Sequence, residues 1–188
     1  ARVLDDFSLE TKKIIKRLDT IFWNKISKLH LSHFLFDVTP IGGNQKAEAI
    51  KDIARKMNNS LENIIYFGDS ITDVEAFNIV QKNGGLAVSF NGNQYAVKNS
   101  EVVVLSKSNL VVAIITNLFY RYGTKTTVQL LKNWSIPTLK KARLDKNLLS
   151  IFLNNYQKKL PIVKILTPKN TNLLVDEIGP QYNSRNGG

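Results

Sequence analysis

The sequence contains no cysteine, which excludes a disulfide framework and any metal site built on thiolate ligands. It also has no apolar run approaching the roughly 20 residues that a membrane-spanning helix needs. The most apolar stretch, residues 109–123, is shorter and predicts a buried helix. Together these features favour a cytoplasmic protein. The remaining composition, 43% hydrophobic and 22% charged over 188 residues, is that of a globular protein.

Acidic residues are scarce in the last third of the chain. Residues 123–188 contain 11 Lys and Arg but only 3 Asp and Glu, whereas residues 1–122 contain 15 and 12. Most of the net charge of +11 therefore belongs to the C-terminal segment. Such a segment suits an acidic protein partner, a nucleic acid or a membrane surface, although no recognised nucleic-acid motif is present. The simpler interpretation is a solvated face of lysine-rich helices.

Hydrophobic periodicity divides the chain into three predicted parts. Residues 1–33 have apolar positions at helical spacing, with Ser8 or Thr11 as the cap. Residues 34–122 alternate strands with helices, and residues 123–188 are helical and basic with a frayed tail. The predicted strands are 34–38, 63–67, 85–90 and 101–105, and the predicted helices of this middle part are 42–58, 73–84 and 110–122.

This alternation predicts an α/β fold of the three-layer Rossmann-like type, in which a parallel sheet has helices on both faces. The helical N-terminal segment and the basic C-terminal extension are additions to that body. Trp134, Phe152 and Tyr156 lie among the lysines of the extension. They are either docking residues for a partner or core residues of a small helical unit, since large aromatic side chains dominate cores.

Two acids follow one of the predicted strands. The stretch NIIYFGDSITDVEAF, residues 63–77, is an apolar run followed by Asp69 and Asp73. Ligands bind at the carboxyl ends of strands in open parallel sheets, and two carboxylates there suit a hard cation, which favours Mg²⁺. A structural interpretation is also open, because residues 70–73 and 72–75 both match the capping box of a helix start.

A lysine precedes these acids by one strand–helix unit. Lys46 lies just inside the predicted helix 42–58, which follows the sequence TPIGG. Near a helix N-terminus, its positive charge adds to the partial charge of the backbone amides and produces a site for a phosphate-sized anion. The alternative is a solvated surface lysine, which is the more common situation of this residue type.

The order of these motifs resembles the second half of the haloacid dehalogenase-like (HAD) hydrolase core. The matching stretches, over about residues 34–118, are GGNQKAEAI, IIYFGDSITDVEAF, GGLAVSFNGN and EVVVL. More narrowly, the first three are similar to an archaeal branch whose members are called HAD-like proteins or energy-converting hydrogenase subunit R. The resemblance implies a Rossmann-like HAD fold.

The same resemblance implies a phosphatase-type activity. Lys46 would stabilise the transferring phosphoryl group, and Asp69 and Asp73 would hold Mg²⁺. The implied reaction is hydrolysis of a small phosphomonoester through an aspartyl-phosphate. Three further residues are candidate phosphate contacts and are equally typical of turns: Thr39, Asn44 and Asn91.

The nucleophile of the family has no clear counterpart in this chain. In members of the family, the first strand of the core ends in D-x-D-x-T, and no such motif occurs in this sequence. Asp37, in FLFDVTP, ends an apolar run, but Lys46 follows only nine residues later. That spacing leaves no room for the strand, helix and cap that separate nucleophile from lysine in the family. Asp5 and Asp6 follow no predicted strand, so we interpret them as surface acids.

Two explanations of the missing nucleophile stay open. Because the sequence opens on Ala1 rather than Met, we expect a longer protein whose upstream part supplies the first strand. Residues 1–33 would then be the end of a cap or a linker. Alternatively, the chain is a non-catalytic HAD-like binding or accessory subunit that docks an acidic partner through residues 123–188.

Overall fold

The computed structural model describes residues 8–30, 32, 41–156, 159–167, 170–172 and 174–175. It forms two compact units, residues 1–41 and 42–188. The first contains helix α1 (Leu9–Asp19), which continues as a π-helical turn over Thr20–Lys25 and a 3₁₀ turn over Ile26–Lys28. Ser8 caps α1, since its Oγ accepts a hydrogen bond from the backbone N–H of Thr11 at 3.2 Å. The domain boundaries proposed at 33/34 and 122/123 stay predictions.

The second unit is a four-stranded sheet with helices, as the sequence pattern predicts. Its elements are α2 (Gly43–Lys56), β1 (Ile65–Gly68), α3 (Val74–Lys82), β2 (Leu86–Phe90), α4 (Gln94–Asn99), β3 (Val102–Leu105), α5 (Leu110–Lys132), α6 (Ile136–Lys141), α7 (Lys146–Asn155) and β4 (Ile162–Ile165). The strands lie in the order β1-β2-β3-β4. Strand β2 pairs in parallel with both β1 and β3, whereas β4 pairs with β3 in antiparallel.

Three predicted strands are confirmed within a residue or two, whereas the strand at 34–38 lies outside the described residues. The C-terminal segment is not wholly helical, which corrects the prediction. Four residues, IVKI, form β4 and pair with β3. Four residues are too few to show a helical or strand periodicity. Pairing with the edge of β3 therefore decides their conformation.

The helix predicted at 110–122 is confirmed, because helical geometry is interrupted at Gly123, where φ is 68° and ψ is −178°. The chain bends there, and a second helical stretch of α5 continues to Lys132. Glycine tolerates this conformation, which other residues rarely adopt. Within the described ranges, no helix is both long and apolar enough to cross a bilayer.

Both faces of the sheet are covered. On one face, Val88, Val104 and Val163 of the strands pack against Ile114 of α5 and Phe152 of α7. On the other face the buried residues come from the sheet and from α2, α3 and α4: Ile50, Ala76, Phe77, Val80, Ala87 and Ala96. This layering is the three-layer α/β arrangement predicted from the sequence.

The aromatic residues of the C-terminal segment belong to the core, as the interpretation of a small helical packing unit predicts. Phe152 is fully buried, and its ring centroid lies 6.0 Å from that of Trp134 and 4.8 Å from that of Tyr156. The Trp134 indole N–H also donates to the carbonyl oxygen of Pro161 at 2.9 Å. Residues 134–156 are therefore packed onto the sheet by their aromatic side chains.

Candidate functional site

The carboxyl end of β1 is shaped by a close approach between Gly68 and Asp73. A Cβ atom at Gly68 would lie 2.6 Å from both Cβ and Cγ of Asp73, so only glycine leaves space for this side chain. Beyond Gly68 the chain makes a 3₁₀ turn over Ile71–Asp73 and enters α3. The turn folds the Asp73 carboxylate back over the end of the strand.

Asp73 is buried and accepts hydrogen bonds at both carboxylate oxygens. Oδ1 accepts from the Lys46 ammonium at 2.7 Å and from the Tyr66 hydroxyl at 2.8 Å. Oδ2 accepts from the backbone N–H of Asp69 at 3.0 Å, and from both the N–H and the hydroxyl of Ser70 at 3.1 Å. The side chain is only 5% exposed, so these five bonds replace its hydration.

The five hydrogen bonds decide the ionisation of Asp73. Burial on its own raises the pKa of this carboxyl, but the bonds from Lys46, the Asp69 amide, Tyr66 and Ser70 outweigh it and lower the pKa to about 2. Burial, followed by the hydrogen bond to Asp73, raises the pKa of Tyr66 well above its ordinary value. At neutral pH the site therefore contains a carboxylate anion and a protonated tyrosine.

Lys46 lies in the first turn of α2, and its side chain reaches the loop that leads into α3. Besides its ion pair with Asp73, its ammonium donates to the Thr72 hydroxyl at 2.9 Å. The Lys46 side chain is 30% exposed, so it lies at the boundary between the buried carboxylate and solvent. The capping-box interpretation of residues 70–73 is confirmed, because Asp73 completes the box while it binds Lys46. The Mg²⁺ interpretation of Asp69 and Asp73 stays a prediction.

Asp69 lies in the same loop and is exposed. Its backbone carbonyl accepts from the Asn93 N–H at 2.8 Å, which joins this loop to the loop after β2. Its carboxylate is the one in this loop that suits a hard cation such as Mg²⁺, because all the acceptor positions of Asp73 are already in use. Among the described residues there is no group of three or more metal-ligating side chains.

The other predicted phosphate contacts differ in their surroundings. Asn44 is exposed in the first turn of α2. The Asn91 amide is already used, because its Nδ2 donates to the Ser106 carbonyl at 2.8 Å and its Oδ1 accepts from the Ser106 N–H at 2.9 Å. Asn91 thus ties the ends of β2 and β3 together. Thr39 and Asp37 lie outside the described residues.

Sequence reasoning missed Tyr66 and Thr72 as members of the site, and it missed where the Glu75 carboxylate lies. Strand alternation could have indicated Tyr66, because it places this side chain on the face of the sheet that Phe77 of α3 covers. The rings of Tyr66 and Phe77 lie 5.7 Å apart. The Glu75 carboxylate lies against Gly43, where a Cβ would come within 2.1 Å of Oε2. A negative charge there stabilises the N-terminus of α2, and it also occupies space where an anion would bind.

Comparison with known proteins assigns the family. The model of the haloacid dehalogenase-like hydrolases matches residues 4–117, and the chain belongs to this family. The structure of gene product AF1437 from Archaeoglobus fulgidus is similar, with a TM-score of 0.61 and 22% identity over 98% of this chain and 49% of that one. At this identity the likeness shows the fold alone, and the chain spans about half the length of that protein. No curated protein matches the chain.

Proposed function

We propose that this chain is part of a cytoplasmic, Mg²⁺-dependent HAD-like phosphohydrolase that acts on small phosphomonoesters through an aspartyl-phosphate. The observation that carries the proposal is the ion pair of Lys46 with Asp73 at the carboxyl end of β1, with the exposed Asp69 in the same loop. A cation and a free carboxylate at this edge match what phosphoryl transfer requires, which is mainly electrostatic stabilisation.

In this proposal Lys46 binds the phosphoryl group. A lysine ammonium has three N–H donors, and Asp73 and Thr72 accept two of those of Lys46. The third is available for a phosphoryl oxygen. Asp73 acts as a positioning residue, because its buried carboxylate holds the ammonium in place.

The residue that would hold Mg²⁺ is Asp69. The ion supplies positive charge that neutralises a phosphoryl group and its attacking oxygen. The exposed carboxylate of Asp69 and the water around it are compatible with a cation that keeps most of its hydration shell. Direct coordination by Asp73 would require it to give up hydrogen bonds from Tyr66, Ser70 or Lys46.

The outer edge of β1 is the position at which a strand with the missing nucleophile would pair. In the part of the chain that the structure describes, no strand pairs with the outer edge of β1, and all four of its residues are only half-buried. By contrast, β3 is wholly buried. A parallel strand added beside β1 would end next to Asp69, so a terminal aspartate on it would meet the same ligand. Our preferred source of this strand is a segment upstream of Ala1. The alternative source is residues 34–38, which would supply Asp37.

Hydrolysis of p-nitrophenyl phosphate tests the enzyme class and the source of the nucleophile. We expect negligible turnover by the 188-residue chain, and turnover once an N-terminal segment with an Asp-x-Asp strand is added. Lys46→Ala in the extended protein should then cost about 3 kcal/mol of transition-state stabilisation. Strong turnover by the chain alone that disappears in Asp37→Asn would instead identify Asp37 as the nucleophile. An extended protein without turnover would favour the non-catalytic accessory subunit.

Titration calorimetry with MgCl₂ tests the metal assignment. Asp69→Asn should abolish Mg²⁺ binding, because it removes the one loop carboxylate whose oxygens are not already paired. The matched control is Asp52→Asn, which neutralises an exposed acid on α2 that pairs with Lys56 instead. Unchanged Mg²⁺ affinity in Asp69→Asn would contradict the assignment.

A further inference from the structure

The opposite edge of the sheet carries a second feature, a groove along β4. The groove has a volume of about 660 Å³, and residues 159–165 line it without a gap, together with Leu131, Lys132 and Trp134. Side chains of a strand alternate between the two faces of a sheet. Consecutive residues lining one groove therefore mean that the groove follows the backbone edge of the strand.

The backbone of β4 has hydrogen-bonding groups that face this groove. The N–H of Leu166 donates to the carbonyl of Glu101 at 2.8 Å, and Ile165 is paired with Val102. In an antiparallel ladder, residues that bond to the partner strand alternate with residues whose N–H and C=O point away from it. The N–H groups of Val163 and Ile165 and the C=O of Val163 thus point outward. The outward C=O of Ile165 already accepts from the Asn170 side-chain amide at 3.0 Å, and that of Pro161 accepts from Trp134. No strand occupies that side within the described ranges.

The charge of the groove indicates its occupant. Lys132, Lys159 and Lys164 line it and are exposed, and none of the lining residues that the structure describes is acidic. A second copy of β4 would bring three more lysines and be repelled, as edge lysines commonly prevent self-pairing. An acidic segment would instead be attracted.

We propose that an acidic, extended segment of a partner protein pairs with the outer edge of β4 as a fifth strand of the sheet. Backbone hydrogen bonds to the N–H and C=O of Val163 and to the N–H of Ile165 would supply the pairing, and the three lysines would select for acidic side chains. This gives a location to the acidic partner expected for residues 123–188, and it is independent of the phosphohydrolase proposal.

The geometry favours a peptide over a nucleic acid. Single-stranded nucleic acids bind to exposed aromatic platforms on which the bases stack. Trp134 is the aromatic residue of the groove, and it is half-buried, with its N–H bonded to Pro161 and its ring against Phe152. The spacing of outward N–H groups at alternate residues fits another β-strand.

Fluorescence anisotropy with a labelled eight-residue peptide of alternating Glu and Val tests the charge requirement. The triple variant Lys132→Glu, Lys159→Glu, Lys164→Glu should weaken binding by about tenfold or more, which corresponds to about 1.4 kcal/mol. The matched control reverses three other exposed lysines of the same segment: Lys125, Lys140 and Lys141. The control should bind nearly as well as the native chain, and an equal loss in both variants would overturn the proposal.

Two N-methylated forms of the peptide test strand pairing without altering the protein. One form is methylated at the odd positions and the other at the even ones. Because only one edge of an added strand faces β4, one form should lose binding and the other should retain it. Equal binding of both forms, absence of binding by the parent peptide, or tighter binding of a dT12 oligonucleotide would each contradict the proposal.

Discussion

The carboxyl end of β1 and the outer edge of β4 use charge in opposite ways. At β1 one carboxylate is buried, accepts five hydrogen bonds and pairs with one lysine. Along β4 the lysines are exposed, and no acid stands among the described residues that line the groove. Removing a buried, paired charge is costly, whereas exposed charges contribute little to folding and act mainly on binding partners.

The largest expected effect comes from removing the buried charge. Asp73→Ala should lower the free energy of unfolding by about 3 kcal/mol, because it leaves Lys46, Tyr66 and two backbone N–H groups without their acceptor. Urea denaturation measures this, with Asp69→Ala as the control in the same loop. We expect the control to stay within about 0.5 kcal/mol of the native chain. Similar losses in both would remove the contrast between the two acids.

The next effect comes from the glycine beneath this carboxylate. Gly68→Ala should cost about 2 kcal/mol, since its Cβ would overlap Asp73 and displace the hydrogen-bonded side chain. Gly42→Ala is the matched control, because its nearest neighbour would be Gln45 Oε1 at 3.9 Å. Urea unfolding of the two variants should differ clearly. Equal stability would mean that the end of β1 adapts more easily than the structure indicates.

The ionisation of Asp73 should also make the stability of the protein depend on pH. Because folding lowers the pKa of Asp73 from 3.8 to about 2, the group stabilises the native state above about pH 4. This contribution, about 2 kcal/mol, is lost as the pH falls toward 2. The stability difference between the native chain and Asp73→Asn should therefore shrink between about pH 4 and 2, as followed by urea denaturation. A difference independent of pH would show that charge is not the source.

A smaller effect is expected from the lysine partner. Lys46→Met should destabilise by about 1 kcal/mol, since Asp73 retains four other hydrogen bonds and Lys46 is partly exposed. The pKa of Asp73 should rise in this variant, which NMR titration of its carboxyl carbon measures. An unchanged pKa would mean that Lys46 contributes nothing to the ionisation of this site.

The smallest effect is predicted at the other edge. Reversing Lys132, Lys159 and Lys164 together should change the free energy of unfolding by no more than about 0.5 kcal/mol, because all three are exposed. Thermal unfolding of this variant is also the control that its binding loss is not a folding defect. A large destabilisation would show that these lysines are structural and would end the contrast with β1.

Much of the fold was predictable because it depends on local patterns. Alternating strands and helices predicted the parallel β1, β2 and β3 and the helices that follow them, and Gly68 with its two acids predicted the strand end. The last strand was not predictable, because the four residues of β4 become a strand only through pairing with β3.

The order of strands and helices along the sequence is sufficient to place Lys46, Asp69 and Asp73 at the carboxyl end of β1. The different roles of the two acids depend on the packing of the folded chain. The two acids are four residues apart and chemically identical, yet one is exposed and the other buried among five donors. Three of these donors are local, in residues 69 and 70, and Tyr66 on β1 and Lys46 on α2 supply the other two. Such contacts between separate elements exist only after the helices have packed on the sheet, so no local pattern encodes them.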